Sequence, residues 1–429
     1  MQCTQKLGTP INTLTVMRIN KNRCTRLLHA GYLTLAIFFY ACSTGTPLPT
    51  DKPIATPLST RIDIPTKTQT TVFEFKPTHT LIPTEKISTP ETSTPTIELV
   101  RENMNINPLT GLEVENPDKL QRRPIAVKVQ LFPRGQRPPW GISLADIVYD
   151  YYQNNGVTRL TAIFYGQDAE TVGPIRSARL FDLNIIKMYK SVFIFGLADW
   201  RIYQKLLKSS VSDRLVVEKY GSCPPLCRIK PESYNHLVVN TAALSDYLDE
   251  IGISNHKQNL DGMVFSDQPP DSGIPADEIS IRISYSAYNR WDFNSETGKF
   301  LRYQDIREGN PEEEAYDPLF DQLTGEQISA SNVVILFLGH KYAYQTEAGK
   351  NEVFDIRFTG EGEAVAFRDG FLYQLYWKRT DTDAPLILTF PDGTDYPYKP
   401  GNTWYQLVGK SSVIENQKDN RWRFEFKVP

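Results

Sequence analysis

Ligands for metal ions are scarce in this chain of 429 residues, which contains only five cysteines and five histidines. Cys223 and Cys227 are the only cysteines in the region expected to fold, and no further Cys/His cluster completes four zinc ligands. The G-x-S-x-G, P-loop, H-E-x-x-H and dinucleotide-binding glycine motifs are also missing. We therefore expect no metal and no cofactor, and the sequence identifies no catalytic residue, so a non-enzymatic role is favoured.

A large excess of charge is absent as well. The chain has 47 basic and 50 acidic side chains, a net charge of −3. This balance argues against a globally basic nucleic-acid binder, so no nucleic-acid partner is expected.

The N-terminus has the order of a signal peptide. A basic stretch at residues 18–26 precedes an apolar run at residues 32–41. That run has ten residues, about half of the ~20 that a membrane-spanning helix needs. Ala41 directly before Cys42 resembles the cleavage box of bacterial lipoproteins, so we expect lipidation of Cys42 and attachment to the outer face of the cell membrane. A plain signal peptide cut nearby is the alternative, and Met17 is an alternative start.

Threonine and proline dominate the next segment, with 16 Thr and 9 Pro among the 58 residues 43–100. Such a composition buries too little apolar surface to fold. We predict a disordered, extended tether over residues 43–102.

Two cysteines four positions apart, Cys223 and Cys227, flank Pro224 and Pro225. In an exported protein a small loop-closing disulfide is the preferred interpretation. Free thiols, or redox or metal chemistry, are the alternatives.

The remaining chain is predicted to be α+β, in two domains. Residues 103–275 contain strand-like runs near 124–130, 146–153, 157–165 and 191–196, with Asn155 and Gly156 as a hairpin turn. Helical spacing over 178–189, 200–208 and 241–251 completes a mixed α/β-sheet domain. Residues 276–429 consist of short, turn-punctuated apolar runs and are predicted to form a β-rich domain.

Several blocks carry a family resemblance: NPLTGLEVENPDKLQRRPIAVKV (107–129), SLADIVYDYYQNNGVTRLTAIF (143–164), GPIRSAR (173–179), LTGEQISASNVVILFL (323–338) and PGNTWYQLV (400–408). They resemble the YerB-like bacterial lipoproteins, over nearly everything after about residue 105. The resemblance implies a two-part architecture and an envelope location, and it implies no reaction.

The GPIRSAR block supplies the candidate binding site. Arg176, Ser177 and Arg179 lie near a predicted helix start, where guanidinium groups and free amides can converge on an anion. The other members of the candidate set are Arg159, Asp146 and Asp150. The alternative is structural pairing of the arginines with Asp146, Asp150 or Asp182.

Two functions follow from these observations. The first is non-enzymatic binding of an envelope ligand or protein partner through the arginine-rich site. Exposed rings at Tyr149, Tyr151, Tyr152, Tyr373, Tyr376 and Trp377 offer a further binding surface.

The second function is that of an envelope phosphotransferase-like enzyme acting on a lipid-linked pyrophosphate. The order of aspartate, strand and arginines loosely resembles the LytR-CpsA-Psr phosphotransferases, although their signature sequences are absent. That resemblance implies that Arg159, Arg176 and Arg179 bind pyrophosphate while Asp146 helps to hold a divalent metal.

Overall fold

The computed structural model describes residues 105–230, 236–345 and 353–428. The predicted signal peptide (1–42), its lipidation site Cys42 and the predicted tether (43–102) lie outside the described residues.

The described chain is mostly β. In chain order, the strands of its first half are β1 (Ile125–Val129), β2 (Ile147–Asn154), β3 (Val157–Phe164), β4 (Val192–Phe195), β5 (Leu215–Val217), β6 (Leu226–Arg228), β7 (Leu237–Val239), β8 (Val264–Phe265) and β9 (Ile274–Pro275). The strands that follow are β10 (Glu278–Arg282), β11 (Tyr288–Asn294), β12 (Lys299–Asp305), β13 (Tyr316–Pro318), β14 (Ser329–Ala330), β15 (Asn332–Tyr344), β16 (Val353–Arg357), β17 (Gly360–Arg368), β18 (Phe371–Arg379), β19 (Ile387–Thr389), β20 (Pro397–Tyr398), β21 (Thr403–Gly409), β22 (Val413–Gln417) and β23 (Arg421–Glu425).

Helices are short. In the described ranges the α-helices are α1 (Asp182–Met188), α2 (Trp200–Leu207) and α3 (Leu244–Glu250). Single 3₁₀ turns occur at Pro117–Gln121, Arg134–Gln136, Ile142–Leu144, Ser212–Arg214 and Pro311–Glu313.

The predicted α+β class, with a mixed α/β-sheet domain first, is therefore wrong. Each α-helix has only seven or eight residues, and strands dominate both halves of the described chain. The physical reason lies in the apolar runs, which are rich in β-branched and aromatic residues and pair with one another across the chain. Where strand pairing competes with a helix, a segment of about a dozen residues with helical spacing of its apolar residues forms only two turns of helix.

Helix α1 shows this competition most clearly. The helix was predicted from Ala178 but begins at Asp182. Before it, the backbone N–H of Arg176 donates to the carbonyl of Lys128 (2.9 Å) and that of Ala178 donates to the carbonyl of Leu197 (2.8 Å). These backbone hydrogen bonds to distant segments prevent the predicted start of the helix from forming intrahelical bonds.

Strands β2 and β3 form the predicted hairpin. Asn155 and Gly156 at its turn have φ of 51° and 72°, as a two-residue type I′ turn requires. The hairpin prediction is confirmed.

One large sheet contains strands from both halves of the chain, in the order β19-β18-β17-β15-β21-β2-β3-β1-β4-β5. Strands β16 and β9 pair at its side with β15 and β18. The halves meet where β21 runs parallel to β2 on one side and to β15 on the other. The aromatic rings of Tyr149 and Tyr405 stack across this junction with centroids 4.7 Å apart.

A second sheet, in the order β13-β12-β11-β10-β23-β22 with β14 beside β12, covers one face of the large sheet. Its Trp291, Phe300 and Phe424 share a buried cluster with Val127 and Leu160 of the large sheet. Helices α1 and α2 pack on the opposite face, in a separate buried cluster. Side chains of β1, β2 and β3 therefore alternate between two different interiors.

A buried ion pair links the two sheets. Asp150 of β2 accepts a hydrogen bond from Arg302 of β12 at 2.8 Å, and both side chains are 1% exposed. The Arg302 guanidinium also lies over the rings of Trp291 and Trp404, at 5.0 and 4.7 Å from their centroids. Burial lowers the pKa of Arg302, whereas Asp150 opposes this shift. The pair fixes how the second sheet sits on the first.

We expect Arg302→Met to lower the free energy of unfolding by about 3–5 kcal/mol, because it leaves the Asp150 carboxylate buried without its cation. Urea unfolding of the purified protein measures this loss. The matched control is Arg421→Met, which removes an exposed pair with Asp419 and should change stability by less than about 1 kcal/mol. Equal, small effects of the two substitutions would contradict a structural role for the buried pair.

Candidate functional site

The site forms on the α1 side of the hairpin. Tyr151 lies directly opposite Arg159 in the β2–β3 register, and Thr161 of β3 lies opposite Lys128 of β1. Cross-strand partners project from the same face. These four side chains therefore line one patch of sheet, and Asp182 of α1 approaches it from above.

The Asp182 carboxylate organises this patch. Its Oδ1 accepts hydrogen bonds from the Lys128 ammonium (3.2 Å) and from the Thr161 hydroxyl (2.8 Å). The Tyr151 hydroxyl donates to the same oxygen, and Lys128 also bonds to that hydroxyl. Oδ2 accepts the backbone N–H of Arg179 (2.6 Å). Both members of the Lys128–Asp182 pair are fully buried, so this carboxylate is already fully engaged.

Burial, which has the largest effect, and the nearby positive charges of Arg179 and Arg159 together lower the pKa of Lys128 to about 7 against the opposing charge of Asp182. A lysine whose ordinary pKa is 10.5 thus changes its charge near neutral pH. The balance between one carboxylate and several cations is the dominant electrostatic feature of the site.

Three arginines surround this buried pair. Burial and the charges of Arg179 and Arg176 lower the pKa of Arg159 to about 9. Burial likewise lowers the pKa of Arg176, with further contributions from Arg179 and Arg228. Arg159 and Arg176 therefore lie in the positive potential of their neighbours, whereas burial lowers the pKa of Arg179 and Tyr151, Asp182 and Asp199 oppose that shift. We call Arg159, Arg176 and Arg179 the arginine cluster.

The arginine cluster lacks a carboxylate partner in the described ranges. Nη1 of Arg179 donates to the carbonyls of Ser177 (3.0 Å) and Ala178 (2.9 Å), and Nη2 donates to the Gln153 side chain. Arg159 makes only a long bond to the Thr158 carbonyl (3.4 Å). Nε of Arg159 and Nε of Arg176 are buried without a hydrogen-bond partner.

The acidic groups around the arginine cluster are paired elsewhere. Asp182 holds Lys128, and Asp199 forms a bidentate pair with Arg201 (2.9 Å for each bond). Glu218 pairs with Arg228 at 2.5 Å. The sequence left open whether the arginines pair with Asp146, Asp150 or Asp182. Among the described residues, none of these aspartates forms an ion pair with an arginine of the cluster.

Asp150 lies near the arginine cluster in sequence but not in space. It follows Tyr149 and precedes Tyr151 on β2, so its side chain points to the opposite face, where it meets Arg302.

Asp146 is separated from the arginine cluster along the hairpin. Ile147 pairs with Ile163 whereas Tyr151 pairs with Arg159, so Asp146 lies about 17 Å from Arg159 at the usual strand rise. Its carboxylate accepts bonds from Asn107 (2.8 Å) and from the backbone N–H groups of Tyr165 (2.5 Å) and Gly166 (3.1 Å). Burial nevertheless raises the pKa of Asp146 to about 6. Asp146 faces a separate polar cleft of about 500 Å³.

The backbone amides expected to assist anion binding are largely occupied. The N–H groups of Arg176 and Ala178 donate to Lys128 and Leu197, and that of Arg179 donates to Asp182. The predicted helix N-terminus at Ser177 does not form, because α1 begins at Asp182. The guanidinium groups are thus the donors that remain for a ligand.

The other sequence candidates have ordinary structural positions. A disulfide joins Cys223 and Cys227. Of the six aromatic residues considered as a binding surface, Tyr149, Tyr151, Tyr373 and Trp377 are buried, whereas Tyr152 and Tyr376 are partly exposed. No group of three or more His, Cys, Asp or Glu side chains in the described ranges is arranged to hold a metal ion.

Sequence reasoning missed Lys128 as a site residue. The signal was a lysine inside the apolar strand IAVKV, every residue of which is buried. A fully buried lysine is rare without a paired carboxylate, so its presence in that strand could have pointed to Asp182.

The fold and the site define a mostly β protein in which the arginine cluster lies near α1 and forms no ion pair with a described residue. Residues 109–254 match the N-terminal domain of the protein of unknown function DUF3048, and residues 279–405 match its C-terminal domain. The chain belongs to this YerB-like family, as the sequence blocks indicated.

A named relative and a solved structure agree with this assignment. The chain is 27% identical over 308 residues to the protein named "Putative lipoprotein YerB" of Bacillus subtilis, covering 70% of this chain and 85% of the relative. The crystal structure of Bacillus subtilis YerB superposes with a TM-score of 0.58 at 23% identity, over 70% of this chain and 96% of that one. The latter likeness concerns the fold alone.

No helix in the described part of the chain is long and apolar enough to cross a bilayer.

We expect stability to rise with pH between about 7 and 9 because of Lys128. Its folded pKa of about 7 lies below its ordinary value of 10.5, so in this window the unfolded chain binds a proton that the folded chain does not. Urea unfolding at a series of pH values should show this rise in wild type. Lys128→Met should flatten it, whereas the exposed control Lys418→Met should not. A rise that persists in Lys128→Met would assign it to another group.

Proposed function

We propose that this protein is a cell-envelope lipoprotein, attached to the outer face of the membrane through Cys42, that binds an anionic envelope ligand at the arginine cluster. The signal-like N-terminus with Ala41 before Cys42 supports the location. Its Bacillus subtilis relative is named "Putative lipoprotein YerB", which also supports this location.

One observation carries the proposal of an anion site: Arg159, Arg176 and Arg179 converge while no described carboxylate pairs with them. Partly buried cations that repel one another cost folding free energy unless a counter-charge is supplied. Such a cluster contributes little to the stability of the protein, which favours a role in binding. A bound anion removes both the repulsion and the unsatisfied Nε donors.

The chemistry of the donors narrows the anion class. Guanidinium groups are planar forks that bind two oxygens at once, which suits phosphate and carboxylate. Three neighbouring guanidinium groups favour a multiply charged group with several equivalent oxygens. Phosphate and pyrophosphate groups fit this description best.

A second candidate function is that of an enzyme acting on a lipid-linked pyrophosphate. The observation in its favour is the hydrogen-bonded group of Lys128, Tyr151 and Asp182 directly beneath the arginine cluster. With a pKa of about 7, Lys128 can accept or release a proton at neutral pH. Asp146 does not take part in this version, because its position along the hairpin puts it at the separate polar cleft.

The two candidates differ in what Lys128 does. A binding protein leaves a pyrophosphate-containing substrate intact. An enzyme releases product, and Lys128→Met abolishes this release; ligand binding is measured separately, because the substitution also removes the cation that pairs with Asp182. Incubation of the full chain with a polyprenyl pyrophosphate mimic, followed by phosphate analysis, distinguishes them.

We expect pyrophosphate, and to a smaller extent phosphate, to raise the melting temperature of the full chain, compared with chloride at equal ionic strength. A ligand that binds only the native state stabilises it by mass action, by ~2.7 kcal/mol at a hundred times its Kd. Arg176→Ala and Arg159→Met should each abolish the shift, and differential scanning calorimetry measures it.

The control for charge alone is Arg421→Ala, remote in sequence and exposed, which should retain the wild-type shift. Without ligand, Arg159→Met should not destabilise the protein, because it removes an unpaired cation. A destabilised Arg159→Met protein, together with no shift in wild type, would mean that the arginines are scaffold.

A further inference from the structure

Helix α2 has an outer face that combines exposed apolar groups with cations. Trp200 is 72% exposed and Leu207 is 44% exposed, and Leu197 just before the helix is 65% exposed. The inner side of the same helix is buried through Ile202 and Leu206. Large apolar groups left in water at this density mark a contact surface.

The periodicity of the helix groups these residues. Gln204 lies four residues after Trp200, and Leu207 and Lys208 lie three and four residues after Gln204, so the four side chains share one face. Lys205 lies beside them. Lys205 and Lys208 are exposed and form no ion pair with another described residue, and this face contains no acidic residue.

A shallow, mostly apolar groove continues this face toward α1. It is lined by Leu183, Trp200, Lys205, Lys208 and Tyr344. The Lys205 ammonium lies 5.3 Å from the centroid of the Tyr344 ring. We call the exposed α2 face and this groove the α2 surface.

The α2 surface adjoins the arginine cluster through the backbone. The N–H of Gly196 donates to the carbonyl of Arg176 (3.0 Å), and the N–H of Ala178 donates to the carbonyl of Leu197 (2.8 Å). Ala178 and Ala198 form a parallel bridge. The backbone that carries Arg176 and Arg179 is therefore paired with the backbone that leads into α2.

We propose that the α2 surface docks onto an anionic lipid bilayer and thereby brings the arginine cluster to the level of the lipid phosphates. Tryptophan with flanking leucines suits the interface between headgroups and acyl chains. Lysines on the same face are attracted by anionic headgroups. This combination matches a phosphate-bearing membrane surface in both chemistry and charge.

The proposed lipid anchor makes weak docking sufficient. The stretch of residues 43–102 between Cys42 and the folded part has a composition expected to give an extended tether. At ~3.1 Å per residue such a tether reaches at most ~190 Å, which keeps the α2 surface at a raised effective concentration near the membrane. The inference thus rests on the proposed anchorage, and it does not require that a ligand binds at the arginines.

The chain carries its own probe for this docking. Among its six tryptophans, Trp200 is the one that stands out as exposed, whereas Trp291, Trp377, Trp404 and Trp422 are at most 4% exposed. Trp140 is half-buried. A quencher confined to the acyl chains should therefore report on Trp200 before any other indole.

The experiment uses the full lipidated chain in vesicles of phosphatidylglycerol and phosphatidylcholine with brominated acyl chains. Tryptophan emission is compared with that in vesicles of the same lipids without bromine. We expect a partial loss of emission in wild type that Trp200→Phe abolishes and the matched control Trp140→Phe retains.

The role of charge is tested with paired double variants. Lys205→Gln with Lys208→Gln should reduce the loss of emission, and added salt should do the same in wild type. Lys418→Gln with Lys427→Gln removes equal charge from exposed positions elsewhere and should leave the loss unchanged.

Two outcomes would overturn the inference. The first is an unquenched wild-type chain that still floats with the vesicles, which means that the anchor holds but the α2 surface faces a protein or water. The second is quenching that Trp200→Phe does not alter. Failure of the anchorage itself is recognised separately, because the chain then does not float at all. Anion binding is unaffected by these outcomes, since the pyrophosphate shift is measured without lipid.

Discussion

The site depends on a single carboxylate. Asp182 accepts hydrogen bonds from Lys128, Tyr151 and Thr161 through one oxygen and from the backbone of Arg179 through the other. It thereby fixes α1 on the sheet and positions the chain that carries the arginines. Its side chain is already bonded to Lys128 in a fully buried pair, so it forms no ion pair with the arginine cluster, although its charge favours the charged form of Arg179. The same interaction that positions the site therefore leaves the guanidinium groups to the proposed anion.

Side chains alternate between the two faces of β2 and β3, so the polar residues of the hairpin have two different roles. Tyr151 and Arg159 face α1 and belong to the site, whereas Asp150 faces the second sheet and pairs with Arg302. Neighbours in sequence thus serve opposite interiors. The Asp150–Arg302 pair joins the two sheets, while Arg159, Arg176 and Arg179 form no ion pair with a described residue. This difference supports the proposal that the arginine cluster binds a ligand.

Much of the local structure was predictable because it depends on near neighbours. The β2–β3 hairpin follows from Asn155 and Gly156, which tolerate the positive φ of the turn. Helix α2 lies within its predicted span of 200–208, because Ile202 and Leu206 form one apolar stripe and neither residue pairs in a strand. Helix α1 was predicted too early because the backbone of Arg176 and Ala178 bonds to residues of β1 and of the loop after β4. No periodicity within 178–189 contains that information.

The sequence alone indicated the family, which the family models confirm, and it predicted the order of signal peptide, tether and folded region and the residue types around GPIRSAR. These are properties of composition and of short motifs, which do not depend on distant contacts. Only the tertiary structure decided which charges are paired. Arg302 lies 152 positions from Asp150, and Asp182 reaches Lys128 across 54, so their pairing depends on sheet order and on which face each strand buries. For this reason the sequence could not show that the three arginines lie together, or that Asp146 and Asp150 lie away from them.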